Sequence, residues 1–508
     1  MPDGQTIYRV RRGDSLYKIA HRFGITVEAL MRANNLTSPT IYIGQTLQIP
    51  SSRPEVYTVK EGDTLYQLAQ QFETAPEALM IYNRLTTTEL QVGQRLRIPV
   101  YTEAIVQVDA ANVRNAPGTE TVVIAQMVRG TRMPVVGGAE DWVQVRLYNG
   151  KLGWIARQLV NIVPHGREKP ILEILGYYTE EEGPTLPSSY QSFTQHAALI
   201  SDVGLFHFRI DRENPSQIEK FFTFTDEYMR SVVATGHRNN IKMLPVIHNL
   251  LYERGNQEVN KQVIHVMLES PENRQAFIND VIELIQRYNF DGAHLDFEDV
   301  NYEDRNLLST FYQELGRTLK QRGYYYAASV PARTSDRPTN PFSAPFDYAV
   351  IGAAVDEFVV MLYNEHGWPG SPPGPPVSIG WMERVVRYTL TKMPASKITA
   401  AVSVFGFDFN LTTGRNTYVT YQMAVNLAQR YNAQIRFDEE TQTPTFSYQD
   451  ERGNRHEVWF ENAASIRSKL MLANRLGIRG LALWRLGMED PAMWDMIQRE
   501  IVVRKSVV

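Results

Sequence analysis

Residues 8–50 recur without a gap at residues 57–99, so the start of the chain is a tandem pair of small modules rather than part of one large fold. Tyr8, Gly13, Asp14, Leu16, Ala20, Phe23, Leu30, Asn34, Leu36, Gly44, Gln45, Leu47, Ile49 and Pro50 have counterparts in Tyr57, Gly62, Asp63, Leu65, Ala69, Phe72, Leu79, Asn83, Leu85, Gly93, Gln94, Leu96, Ile98 and Pro99. Each copy reads as a short strand (7–10 in the first) followed by a Gly-Asp-Ser or Gly-Asp-Thr turn able to cap a helix. Apolar residues at Leu16, Ile19, Ala20 and Phe23 give that helix a buried face. A second helix over 28–34 and a Gly-Gln turn lead to a closing strand that ends at Ile49-Pro50. The unit is βααβ, and the spacing delimits one copy at 1–50 and the other at 51–100.

The chain changes character twice more, as its 508 residues lead one to expect. Over 101–163, short alternating runs (104–108, 122–126, 142–147, 153–155) are separated by Asn-Ala-Pro-Gly, Arg-Gly and Tyr-Asn-Gly-Lys turns, the pattern of a small all-β barrel. Over 164–508, apolar strand-like runs alternate with helical stretches, which predicts βα units around a parallel sheet. Eight candidate strands fall at 171–177, 202–208, 242–247, 291–297, 325–330, 357–362, 398–404 and 480–483. That number suits a (β/α)₈ TIM barrel, and the Thr-rich, charged segment 407–460 reads as an α+β insertion in it. The fold class is thus multidomain.

Composition removes several function classes. The absence of cysteine excludes disulfides, thiolate metal sites and a cysteine nucleophile. With 52 basic and 56 acidic residues the chain has a net charge of −4 and no dense Lys/Arg run, so neither nucleic acid nor an anionic membrane surface is an expected partner. No apolar run approaches the ~18 residues of a bilayer span, and residues 1–6 show neither the basic nor the apolar region of a signal peptide. His456-Glu457 lacks a second His at metal-ligand spacing, and no Gly-x-Ser-x-Gly elbow, phosphate-binding loop or dinucleotide Gly pattern appears. No metal or organic cofactor is expected, and a monomer is.

The stretch that carries chemistry is Phe290-Asp-Gly-Ala-His-Leu-Asp-Phe-Glu298. Alternation on a strand puts His294, Asp296 and Glu298 on one side and Ala293, Leu295 and Phe297 on the other, toward the helices. Polar residues near the C-terminal end of a barrel strand lie where such barrels build active sites. Residues two apart are about 6.6 Å apart along a strand, so Asp296 and Glu298 can reach one bound molecule. Two inward carboxylates would be a costly way to fill a core.

These motifs carry three resemblances. Tyr-x-Val-x-x-Gly-Asp-[Ser/Thr]-Leu and Gly-Gln-x-Leu-x-Ile-Pro make each repeat similar to a LysM domain, which implies binding to N-acetylglucosamine-containing polymers, peptidoglycan or chitin. Ala111-Asn-Val-Arg-Asn-Ala-Pro, Trp142-Val-Gln-Val and Gly153-Trp-Ile resemble a bacterial SH3-type domain, whose ligand or spacer role stays open. The stretch at 291–298 resembles the family 18 glycoside hydrolase signature Asp-Gly-x-Asp-x-Asp-x-Glu, with His294 standing where the family has its first core Asp. Met361-Leu-Tyr363-Asn364 resembles the family's Met-x-Tyr-Asp, and Trp484 matches its subsite tryptophan. Gly370-Ser-Pro-Pro-Gly-Pro-Pro-Val and Val458-Trp-Phe-Glu-Asn-Ala-Ala-Ser-Ile look like the spore cortex-lytic and germination-associated glucosaminidase branch.

The resemblance implies a retaining endo-type N-acetylglucosaminidase in which the substrate's own 2-acetamido group is the nucleophile. By it, Glu298 is the acid and base, Asp296 orients the acetamide, and Tyr363 bonds its carbonyl. His294, Asp291 and Asn364 support them, and Trp484, Tyr177 and Met361 bind substrate. A neutral His294 is expected to donate a hydrogen bond to Asp296, a protonated one to hold it ionised. The expected substrate is peptidoglycan of the spore cortex, with chitin, or binding without catalysis, as the alternatives. The expected location is the spore or cell wall, outside the cell.

Overall fold

The computed structural model describes residues 6–505 except 12–13, 24, 26, 35, 37–39, 43, 50–55, 140, 148–150, 167–168, 181–185, 251–256, 338–339, 364 and 369. The chain divides into two compact units, one made of 1–172 with 238–240 and 500–508, the other of 173–237 with 241–499.

In the first unit each repeat folds as its sequence pattern predicts. Thr6–Arg9 pairs antiparallel with Thr46–Ile49, and Val56–Thr58 with Arg95–Arg97, around two short helices in each copy. The recurring polar residues turn out to be latches. Tyr8 and Tyr57 donate their hydroxyls to Asp14 (2.8 Å) and Asp63 (2.9 Å), whose carboxylates also accept the Arg11 and Lys60 N–H groups. Asn34 and Asn83 bridge helix to closing strand through Leu30 and Gln48, and through Leu79 and Arg97. The helix cap in the second copy is Thr64, in a capping box with Gln67.

Among the described residues, seven strands between 101 and 165 form one antiparallel sheet. Its apolar core (Ala104, Val113, Met133, Val145, Ile155) takes in Ala75 and Ala78 of the second repeat. Thr74 and Thr102 share a buried hydrogen bond of 2.7 Å beside it.

The second unit is a closed parallel barrel. Its eight strands are β1 (Ile171–Tyr178), β2 (Asp202–Ile210), β3 (Lys242–His248), β4 (Gly292–Asp296), β5 (Tyr325–Pro331), β6 (Glu357–Met361), β7 (Ile398–Ser403) and β8 (Gly480–Trp484). They pair in that order, and β8 closes on β1. Strand β4 shows why the local sequence folds this way. The preceding helix α1 (Pro271–Tyr288) is capped by Ser270, which accepts from Asn273 N–H, and ends at Asn289 in the left-handed region. A Cβ on Gly292 would stand 1.9 Å from the Tyr325 carbonyl, so only glycine lets β4 approach β5 there. Phe297, just past β4, packs among Phe277 of α1 and Phe311 of α2 (Arg305–Gln321). Burying each such ring contributes about 1.5–3 kcal/mol.

The insertion begins two residues before the expected 407. Strands Phe405–Asn410, Arg415–Thr420, Arg436–Asp438, Thr443–Gln449 and Arg455–Trp459 make a separate antiparallel sheet, with the helix Tyr421–Arg430 on it. Among the described residues no helix is long and apolar enough to cross a membrane.

Candidate active site

Alternation on β4 puts His294 and Asp296 inside the barrel, both buried. The ladder ends at Asp296, so Glu298 lies two residues beyond the strand, followed by Asp299 at φ 49°. The chain turns there, and Glu298 keeps part of its surface open to a cleft. That cleft, of about 580 Å³, is lined by Glu298, Asp299, Asn340, Met361, Tyr363 and Trp381, with Phe342 and Trp368 partly exposed at it.

The carboxyl groups are tuned by burial. Desolvation raises Asp296 to about 7, and it raises Glu298 well above the ordinary glutamate range, helped by the charges of Asp296 and Asp299. The raised pKa favours the protonated form of Glu298. Among the described residues Asp296 Oδ1 has no hydrogen-bond partner, which leaves it an acceptor for an incoming group. The Tyr363 hydroxyl is held well above its ordinary pKa by burial and by Tyr177 and Asp296, so it stays a donor.

His294 departs from expectation. Burial lowers its pKa to about 3, so the ring is neutral, but it does not bond Asp296. Its Nε2 lies 2.7 Å from Ser329 Oγ on β5 and 3.3 Å from the Tyr177 hydroxyl on β1, while Nδ1 has no partner among the described residues. The Tyr177 hydroxyl is in turn 2.8 Å from Ser329 Oγ. The triad ties three strands together across the barrel interior.

The remaining candidates divide. Trp484 ends β8, partly exposed, with Tyr177, Phe206 and Tyr363 rings 5.2, 5.0 and 6.2 Å from it. Met361 ends β6 and lines the cleft. Tyr177 has only 1% of its surface exposed and packs its ring against Trp484, so it has no face to offer a sugar. Asp291 is at the opposite end of β4, where its carboxylate accepts the Met243 N–H (2.7 Å) and pairs with His237 (3.0 Å). At ~3.3 Å per residue it is about 23 Å of chain from Glu298, so its work is on the barrel floor. Asn364 lies outside the described residues.

The loop after β6 is pinned from both sides. Glu365 accepts from Ser378 N–H (2.7 Å) and Oγ (3.0 Å) at the start of α3 (Ile379–Thr389), and Trp381 Nε1 donates to the Leu362 carbonyl. From the insertion, Asn416 reaches the Gly367 carbonyl. Three mutually close buried carboxylates, Glu173, Asp202 and Glu357, sit at the N-terminal ends of β1, β2 and β6. Lys242, 3.1 Å from Asp202, and Arg479, on Glu173, set two cations against the three.

A barrel with tuned carboxylates and aromatic rings at its C-terminal mouth is the architecture of a glycoside hydrolase. Residues 208–489 match the family model of glycosyl hydrolases family 18, and the chain belongs to that family. Residues 8–50 and 57–99 match the LysM domain, and 109–161 the bacterial SH3 domain. The chain is 29% identical over 335 residues to the cortical fragment-lytic enzyme of Bacillus subtilis (strain 168), covering 65% of this chain and 75% of the relative. It is similar over 99% of both chains to the solved spore cortex-lytic enzyme SleL of Bacillus cereus, at 26% identity and a TM-score of 0.60. A chitinase from Chromobacterium violaceum aligns with 65% of this chain and 98% of its own, at 28% identity and a TM-score of 0.58.

Proposed function

We propose that the protein is a peptidoglycan hydrolase of the spore cortex, a retaining endo-type N-acetylglucosaminidase that uses substrate-assisted catalysis. The observation that carries this is the pairing of buried Asp296 with Glu298, both raised in pKa by desolvation, with Glu298 part-open to the cleft. Glu298 donates its proton to the departing glycosidic oxygen as the acetamide carbonyl oxygen attacks the anomeric carbon. Asp296 accepts from the acetamide N–H and stabilises the positive charge that spreads over the oxazolinium. Tyr363 donates to the acetamide oxygen, and Trp484 stacks under the ring. The same Glu298, now ionised, takes a proton from water, which opens the intermediate from the face the leaving group vacated. Two inversions give retention.

The choice of cortex follows the similarity to cortical fragment-lytic and cortex-lytic enzymes, together with the wall-type modules. These modules favour action at the spore or cell wall, where tethering raises the local concentration of cleavable bonds. Digestion of purified spore cortex, vegetative peptidoglycan and chitin oligomers, with the new ends read by mass spectrometry, tests the reading. Reducing-end N-acetylglucosamine released from cortex is the expected product. Reducing-end muramic residues, or cleavage of chitin alone, would overturn it.

A further inference from the structure

Strand β3 ends at His248 and its register partner on β4, Asp296, ends that strand too, so the peptide of Glu298 lies past the last ladder hydrogen bonds. A side chain takes over there. Asn249, fully buried, accepts the Glu298 N–H at 2.8 Å through Oδ1 and donates through Nδ2 to the Glu298 carbonyl at 2.5 Å. A carboxamide carries a donor and an acceptor in one plane, so it can pair with both polar groups of a single residue. One residue on, Asp299 is held in the left-handed region, and its carboxylate accepts from Nδ2 of Asn260 at 3.1 Å.

We propose that Asn249 is a positioning residue for the reaction: by fixing both backbone groups of Glu298 it aims the acid at the glycosidic oxygen, with Asn260 restraining the next residue. The inference rests on the reading of Glu298 as the acid. The carboxylate is two residues past the nearest ladder bond, and without the clamp its backbone would have the freedom of a loop. A displacement of about 1 Å from a productive geometry costs on the order of 100-fold in rate.

The test compares two substrates in the full chain. One is a soluble cortex oligosaccharide, whose sugar leaving group needs its proton. The other is a nitrophenyl di-N-acetylchitobioside, whose leaving group departs with little acid help. Asn249→Asp keeps shape and acceptor but sets oxygen against the Glu298 carbonyl; Asn249→Ser removes the clamp and adds no charge. Expected is a kcat/KM loss of about 100-fold on the oligosaccharide in either variant, and of less than about 10-fold on the aryl glycoside. Equal losses on both substrates would mean a merely structural role and overturn the proposal, as would wild-type rates on both. Glu298→Gln runs alongside. If it cleaves the oligosaccharide like wild type, the reading of Glu298 itself fails; if it is inactive while Asn249→Asp is not impaired, the positioning role alone fails.

Discussion

At the scale of single residues, the site holds groups whose protonation is set by burial in opposite senses, and this fixes how variants respond to pH. Asp296 has a folded pKa of about 7 against an ordinary 3.8, so stability falls as pH rises from about 4 to 7, because the unfolded chain ionises first. The full cost is present above about pH 7 and is gone below 3.8. Asp296→Asn should therefore raise Tm by a few degrees at pH 8 and change it little at pH 4, while activity is lost. Thermal melts at the two pH values check this. His294 works the other way. Its folded pKa is lowered to about 3, so the unfolded chain takes up a proton as pH falls through the ordinary value of 6.5, and stability is lost in acid. His294→Asn should flatten that loss in melts between pH 7 and 5. The same variant should keep catalysis within about 5-fold of wild type, because the contact it gives up is with Ser329 and Tyr177 and is worth about 1 kcal/mol. Much of this was legible in the sequence: alternation alone turns His294 and Asp296 inward. Strand logic runs out where the ladder stops. It could not foresee the clamp of Asn249, which arrives from β3 without a motif, nor that Asp291, close in sequence, serves the other end of the barrel.

At the scale of elements, periodicity located all eight barrel strands to within a few residues, because parallel strands buried on both faces leave apolar runs. The cleft was less legible. Asn340, Phe342 and Trp368 come from loops and Trp381 from the first turn of α3, and their approach depends on tertiary contacts such as Glu365–Ser378 and Asn416–Gly367. Also unforeseen was the charge cluster on the barrel floor, where Glu173, Asp202 and Glu357 come from three strands far apart in sequence. Arg479 pairs with Glu173 and approaches Glu357, while Tyr325 and Thr399 donate to Glu357. Removing one partner of such a network leaves uncompensated buried charge and costs about 3–5 kcal/mol. Arg479→Gln should destabilise the second unit by that order in urea unfolding, with kcat/KM of the folded protein unchanged at low denaturant.

At the scale of the whole molecule, two LysM repeats and an SH3 domain precede a catalytic barrel of family 18. The tandem repeat was readable outright, since the residues that recur are those that latch each module: Tyr8 with Asp14, Tyr57 with Asp63, Asn34 and Asn83 with their strands. The second repeat lends Ala75 and Ala78 to the neighbouring core, so the first is the one to remove. Deleting residues 1–50 should weaken pelleting with insoluble cortex and slow its digestion about 10-fold, while kcat/KM on a soluble oligosaccharide is unchanged. Equal slowing on both would deny the repeat a tethering role.

Everything proposed for catalysis depends on Glu298 being the acid of an N-acetylglucosaminidase that acts on cortex glycan. The most direct test is the initial rate of Glu298→Gln on soluble cortex oligosaccharide at neutral pH, with ligand binding measured in the same preparation. A loss of at least about 1,000-fold is expected, with affinity kept within a few-fold. A rate near that of wild type would contradict this role of Glu298.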